Sequence, residues 1–135
     1  MRICKLETFL LHVPVRGNGI GDSLHRVTHW GVPGIVLYTD TGLKGVGYTG
    51  THAHLPTDRL IIDAMDYTYG PLLDGEEADD VLRLWQRLHR FSPALWVGSR
   101  GILKLALAAV DIALWDLKAK AVGLPFWRLL GGVHP

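Results

Sequence analysis

The chain has 135 residues, of which 48% are apolar and 20% are charged, and its formal net charge is +1. This balance is typical of one globular domain with an ample core, and it gives no support to a nucleic-acid or membrane-surface partner. A single cysteine excludes an internal disulfide framework and fits a reducing compartment, so we expect a cytoplasmic protein. No apolar run approaches the roughly 20 residues that cross a bilayer, and no segment has the form of a signal peptide.

The first part of the chain predicts a sheet. Asp40-Thr41-Gly42 is a tight-turn signal between two apolar runs, so these runs form a hairpin, and the first strand completes a three-stranded antiparallel meander. Gly45 and Gly47 lie inside the third strand and predict close approach by another backbone. The predicted strands are Ile3–Val13, Gly34–Thr39 and Leu43–Thr49.

Two polar loops accompany these strands. Pro14–His29 has several glycines and almost no large apolar residues, and it is longer than the usual connection. Gly50–Pro56 is shorter and carries two histidines. Loops of this kind are frequently functional.

Helices follow in the second part of the chain. Thr57 is predicted to cap a helix that runs to about Tyr69, where Gly70-Pro71 breaks it. Glu76 to about Phe91 has apolar residues at helical spacing, an acidic start and a basic end, which predicts a second helix. Ser92-Pro93 is predicted to end it.

The longest helical signal runs from Leu103 to Ala121, with one continuous apolar stripe and a neighbouring strip of alanines. Ser99 is a candidate N-cap, and Gly123 suits the left-handed position after the last turn. Phe126–Leu130 predicts a further short helix. Strands followed by three helices predict an α+β fold, a meander with a three-helix bundle on one side.

The run AAVDIALWDLKAKAVGLPFWRLLGG, Ala108 to Gly132, carries a resemblance. It resembles the end of the N-terminal capping domain of the enolase superfamily, in its mandelate racemase and muconate-lactonizing branch. The resemblance continues more weakly upstream. It implies that residues 1–122 form a capping domain and that residues 123–135 lead to a (β/α) barrel, so that the sequence corresponds to roughly the first third of a family member.

The family's activity is implied by the same resemblance. Its members use Mg²⁺ and a base to remove the proton α to a substrate carboxylate, with the metal ligands and the base at barrel strand ends. We therefore expect no catalytic residue and no metal ligand in this chain, which alone would be inactive. Lys118-Ala119-Lys120 has the family's K-x-K spacing, but on a helix these side chains point about 200° apart, so we interpret it as structural.

Substrate contact is expected from the two loops, which in the family fold over the barrel mouth and which here are Val15–Trp30 and Gly50–His54. Arginine donors suit a carboxylate and imidazoles suit hydroxyls, so the set favours a sugar acid. The absence of a G-x-G-E pattern at Gly45–Thr49 favours sugar-acid dehydration or mandelate-type racemisation over muconate lactonization or dipeptide epimerisation. The candidate residues are Arg16, His25, Arg26, His29, Trp30, His52 and His54.

The resemblance also implies partners: the barrel domain of the same protein, a small carboxylate substrate and other copies of the protein in a homo-oligomer. Two alternatives stay open. The chain is a free-standing module whose long helix docks a partner, or it is an inactive truncated product. His52-x-His54 could also bind a transition metal, although two histidines make an incomplete ligand set.

Overall fold

The structure is a computed structural model that describes residues 1–17, 19–98 and 100–133. It confirms the predicted α+β architecture. A three-stranded antiparallel sheet in the order β1-β4-β5 carries the helices on one face, and a small two-stranded sheet, β2-β3, lies beside it. The strands are β1 (Ile3–Pro14), β2 (Ile20–Gly21), β3 (Arg26–Val27), β4 (His29–Thr39) and β5 (Lys44–Tyr48).

The first predicted loop is more ordered than its composition indicates. His29 and Trp30 were expected in the loop, but they open β4, where they pair with Pro14 and Val13 of β1. The segment between β1 and β4 then folds into the β2–β3 hairpin, in which Ile20 faces Val27. Pairing satisfies backbone groups that an open loop would leave to water.

Three principal helical rods follow the sheet among the residues that the structure describes. The first is a continuous rod in which α1, a π-helical segment and α2 succeed one another; α3 and α5 are the others, and α4 and α6 are short. No helix among the described residues has the length and apolar character that a membrane span requires. The helical elements are α1 (Leu55–Asp63), the π-helical segment (Ala64–Tyr69), α2 (Gly70–Leu73), α3 (Val81–His89), α4 (Ser92–Val97), α5 (Ile102–Ala121) and α6 (Phe126–Leu129).

The predicted break at Gly70-Pro71 is wrong. The helix widens into a π turn in which the Gly70 N–H donates to the Met65 carbonyl, and it then continues through Pro71. Proline cannot donate in a regular turn, and its ring clashes with the carbonyl four residues earlier. A locally widened turn removes that conflict without ending the helix.

Several helix starts also differ from the prediction. His54, not Thr57, is the N-cap residue of α1, and the Thr57 hydroxyl donates to the His54 carbonyl at 3.0 Å. α3 begins only after Asp80, whose carboxylate accepts from the Arg83 N–H. Ser92 opens α4 instead of only ending α3. Ser99, the predicted N-cap of the long helix, lies outside the described residues.

The long helix α5 packs backbone to backbone on β5. A Cβ atom added at Gly47 would lie 2.6 Å from the Ala113 nitrogen and would also meet the Ala109 carbonyl oxygen. One added at Gly45 would meet the Ala113 carbonyl oxygen. The two glycines and the alanine strip, each predicted to allow close approach, are therefore the two sides of one contact.

Side chains of α5 also form hydrogen bonds with backbone groups on the unpaired edge of β5. The Val46 N–H donates to Asp116 Oδ2 at 2.8 Å, and Lys120 Nζ donates to the Lys44 carbonyl at 2.7 Å. Asp116 and Lys120 are themselves an ion pair at 2.6 Å. Lys118 Nζ instead donates to the Asp79 carbonyl at 3.1 Å, so the K-x-K lysines point apart and serve the fold.

Candidate functional site

The hairpin and the second loop meet at one end of the sheet. Gly31 of β4 and Thr51 of the second loop exchange backbone hydrogen bonds, with N···O distances of 3.0 and 2.9 Å. At the base of the hairpin, the Val15 N–H donates to the Thr28 carbonyl at 2.9 Å. These bonds bring Trp30, the neighbour of Gly31, next to His52, the neighbour of Thr51.

A shallow pocket of about 210 Å³ lies between the hairpin and the second loop. Its walls combine apolar side chains with one carboxylate, two imidazoles and an indole. The Val27 side chain of the hairpin is buried, with only 7% of its surface exposed. The lining residues are Ile20, Gly21, Asp22, His25, Val27, Trp30 and His52.

The rings in this pocket face one another edge-on. The His52 ring centroid lies 5.5 Å from that of Trp30 at an interplanar angle of 64°. The same ring centroid lies 6.5 Å from that of His25 at an interplanar angle of 66°. His52 therefore stands between the hairpin and β4, and it is the central group of the pocket.

Asp22 shapes the hairpin turn. Its Oδ1 accepts from the N–H groups of Leu24 at 2.8 Å and His25 at 2.7 Å, and the His25 Nδ1 lies 3.2 Å from each carboxylate oxygen. These backbone donors, first Leu24 and then His25, hold the pKa of Asp22 below its ordinary value. The pocket thus contains a persistent negative charge beside two imidazoles.

Three of the candidate residues, His25, Trp30 and His52, line this pocket. His29 lies in β4 with its Nδ1 3.1 Å from the Thr28 hydroxyl, and His54 lies at the helix start with its Nδ1 3.0 Å from the Thr57 hydroxyl. The candidates Arg16, Arg26, His29 and His54 are exposed and are not among the described residues that line the pocket.

Asp22 was missed by the sequence analysis. Its signal is an aspartate that precedes the two amides it binds by two and three residues, the pattern of an Asx turn. In a polar loop that pattern does not distinguish a pocket residue from an ordinary turn residue.

A larger cavity of about 500 Å³ lies between the first helical rod and the start of α5. Its walls combine apolar side chains with polar ones; they include Leu60, Tyr67, Val97 and Ile102 and also Asp63, Thr68 and Arg100. No candidate residue lines it, as far as the described residues go. The smaller pocket is the better candidate site, because three of the residues predicted to contact substrate line it.

Magnesium does not fit the part of the chain that the structure describes. Across residues 1–17, 19–98 and 100–133, no group of three or more His, Cys, Asp or Glu side chains could hold a metal ion. His52 and His54 do not converge, because His52 faces Trp30 whereas His54 faces Thr57.

The sequence model for the N-terminal domain of mandelate racemase / muconate lactonizing enzyme matches residues 5–131. The chain belongs to this family, and its fold is that of the enolase-superfamily capping domain. Among its relatives is a D-galactonate dehydratase family member of Streptomyces sp. (strain SPB78), 38% identical over 107 residues, which cover 76% of this chain and 22% of that protein.

Solved structures show the same likeness. A racemase from Streptomyces coelicolor A3(2) with bound magnesium superposes with a TM-score of 0.88 at 27% identity, over 98% of this chain and 36% of that one. L-talarate dehydratase from Polaromonas sp. JS666, complexed with Mg and L-glucarate, gives a TM-score of 0.84 at 27% identity, with 98% and 36% covered. The chain thus spans about a third or less of the length of these proteins.

Proposed function

We propose that this chain is the substrate-selecting cap of an enolase-superfamily enzyme that removes the proton α to the carboxylate of a sugar acid. Residues 1–122 form the cap, and residues 123–135 connect it to a barrel domain. The observation that carries the proposal is the pocket in which His52 meets Trp30 and His25 at the junction of the two loops.

The chemistry of the pocket supports a hydroxylated ligand. An imidazole both donates and accepts, and the Asp22 carboxylate accepts, so together they suit sugar hydroxyls. Trp30, 40% exposed, offers an indole face to the apolar side of a sugar. Arg16 and Arg26, on exposed positions of the same segment, are proposed to donate to the substrate carboxylate.

The relatives favour dehydration of a sugar acid. One is a D-galactonate dehydratase family member, and a structural neighbour holds L-glucarate. A mandelate-type racemisation is the second candidate, favoured by the racemase among the structural neighbours.

A division of labour between two domains follows from the same proposal. The described residues lack a metal-binding group, so Mg²⁺ and the residues that move the proton are proposed to lie in the barrel. The enzyme is proposed to be a cytoplasmic homo-oligomer.

The experiment compares His52→Ala with His54→Ala in the form of the enzyme that carries the barrel. His52 lines the pocket and His54 does not, although they lie two residues apart. We expect His52→Ala to raise KM for a sugar acid about tenfold, equivalent to about 1.4 kcal/mol of binding, with little change in kcat. His54→Ala should change KM less than twofold.

Equal effects of the two variants would contradict the proposed pocket.

In a second arm, the 135-residue chain is assayed alone with Mg²⁺ and acid sugars, and turnover above background would overturn the division of labour. Exposed apolar side chains such as Trp96 at 88% and Val97 at 80% should make the isolated chain self-associate. A monodisperse, cooperatively melting monomer would instead favour the free-standing module.

A further inference from the structure

Asp58 is a buried carboxyl group outside the pocket. It lies in the first turns of α1 and is only 1% exposed. Its Oδ2 lies 2.9 Å from His12 Nε2, whereas Oδ1 has no hydrogen-bond partner among the described residues. Burying a polar pair is costly, and apolar side chains of similar volume are often at least as stable.

The His12–Asp58 pair sits where four segments converge. His12 of β1 faces Gly31 of β4 in the sheet register. A Cβ atom at Gly31 would lie 2.5 Å from Asp58 Oδ2 and would also meet the Thr51 hydroxyl. Glycine at position 31 therefore leaves room for the carboxylate of α1 and for the side chain of the second loop.

The second loop is strained at this point. Ala53 has φ = 54°, the only positive φ at a non-glycine residue in the described part of the chain. Its N–H donates to the Thr51 hydroxyl at 3.2 Å. Left-handed backbone is unfavourable for alanine and persists only where its surroundings hold it.

The pair also lies directly behind the pocket. Gly31 is the neighbour of Trp30, and Thr51 and Ala53 flank His52. Trp30 and His52, whose ring centroids lie 5.5 Å apart, are thus each one residue away from groups that lie close to Asp58. A change in the position of the Asp58 carboxylate would reach both of them through the backbone.

We propose that His12 and Asp58 are positioning residues, which fix the second loop on β4 so that His52 faces Trp30. The inference rests on the proposed function in one respect, namely that this wall of the pocket selects substrate. The test of the positioning role uses no substrate. The positioning role can therefore fail while the KM effect of His52→Ala is observed, and the KM effect can be absent while the positioning role holds.

The experiment compares Asp58→Ala with Asp66→Ala in the form of the protein that carries the barrel, without substrate. Asp66 is a matched control, because it also joins β1 to the first helical rod, by accepting from the Thr8 hydroxyl at 3.1 Å, away from the pocket. We expect Asp58→Ala to speed amide hydrogen exchange at Gly31 and Thr51 at least tenfold relative to core amides and to shift the Trp30 indole resonance. Asp66→Ala should leave these signals unchanged.

A second pair of variants covers the case in which Asp58→Ala does not fold. The side chain of His12 is 30% exposed, so its replacement is milder. His12→Gln keeps an N–H donor, so the amide exchange rates of Gly31 and Thr51 should stay at the wild-type values. In His12→Leu these two amides should exchange about tenfold faster. Wild-type signals in His12→Leu, or equal losses in both variants, would overturn the positioning role.

Discussion

The contact between α5 and β5 and the contact between the two pocket loops are built in opposite ways. In the first, Gly45 and Gly47 carry no side chain on the strand face that meets the helix, so the backbone of α5 approaches the strand directly. In the second, exposed rings of His25, Trp30 and His52 meet across the surface. The first arrangement cannot tolerate added atoms, whereas the second can change its side chains at little cost to the fold. The molecule thus separates a tightly packed framework from a surface whose side chains can change.

The largest effect is expected from Gly47→Ala. The new Cβ would overlap the Ala109 carbonyl oxygen and the Ala113 nitrogen, which are backbone atoms and cannot move aside. We expect a loss of about 3 kcal/mol in the free energy of unfolding, measured by chemical denaturation.

Gly50→Ala is the control within the loop region. Nothing lies within 4 Å of its Cβ position, so its unfolding free energy should change by no more than about 0.5 kcal/mol. A Gly47→Ala variant as stable as Gly50→Ala would show that α5 and β5 do not form a rigid contact.

A smaller loss is expected from Asp116→Ala. This change removes the acceptor of the Val46 N–H and the ion-pair partner of Lys120 at the edge of β5. Hydrogen bonds to charged groups contribute about 1.5–3 kcal/mol, and the partial exposure of Asp116 places the expected loss near the lower value, about 1.5 kcal/mol. Chemical denaturation measures the lost free energy of unfolding. Faster hydrogen exchange of the Val46 amide would show that the loss arises at the edge of β5.

Lys118→Ala is the matched control on the same helix, because Lys118 bonds to the Asp79 carbonyl and not to β5. Its effect should stay within about 0.5 kcal/mol. If both variants lose the same stability, the edge of β5 does not depend on Asp116.

The framework was largely predictable because its signals are local. The apolar period of α5, the left-handed Gly123 with φ = 68° and the strand glycines can each be recognised from neighbouring residues. That Gly47 meets Ala109 was not predictable from spacing, since it depends on how a helix lies on a sheet. The π turn was missed because Pro71 ordinarily ends a helix, and only the wider turn before it permits continuation.

The pocket was predictable in part. His25, Trp30 and His52 were named because the family resemblance pointed to both loops, whereas Asp22 looks like any turn residue. The His12–Asp58 pair joins positions 46 residues apart, and no local pattern connects them. Contacts that depend on two distant segments meeting are the part of the site that spacing does not encode.

The smallest effect on the whole fold is expected from the titration of Asp22. The N–H groups of Leu24 and His25 bind its ionised form and hold its pKa in the folded hairpin below the ordinary value of 3.8. The hairpin is therefore stabilised fully above pH 3.8, and this contribution is lost as the pH falls through the lowered pKa.

We expect the amide resonances of Leu24 and His25 to shift with a midpoint below pH 3.8, a response that Asp22→Ala abolishes. The amides of Gly45 and Gly47 should not follow, since no hydrogen bond of the described chain links Asp22 to β5. A common midpoint in both regions would mean that the hairpin and the framework unfold together, and the separation between them would then be wrong.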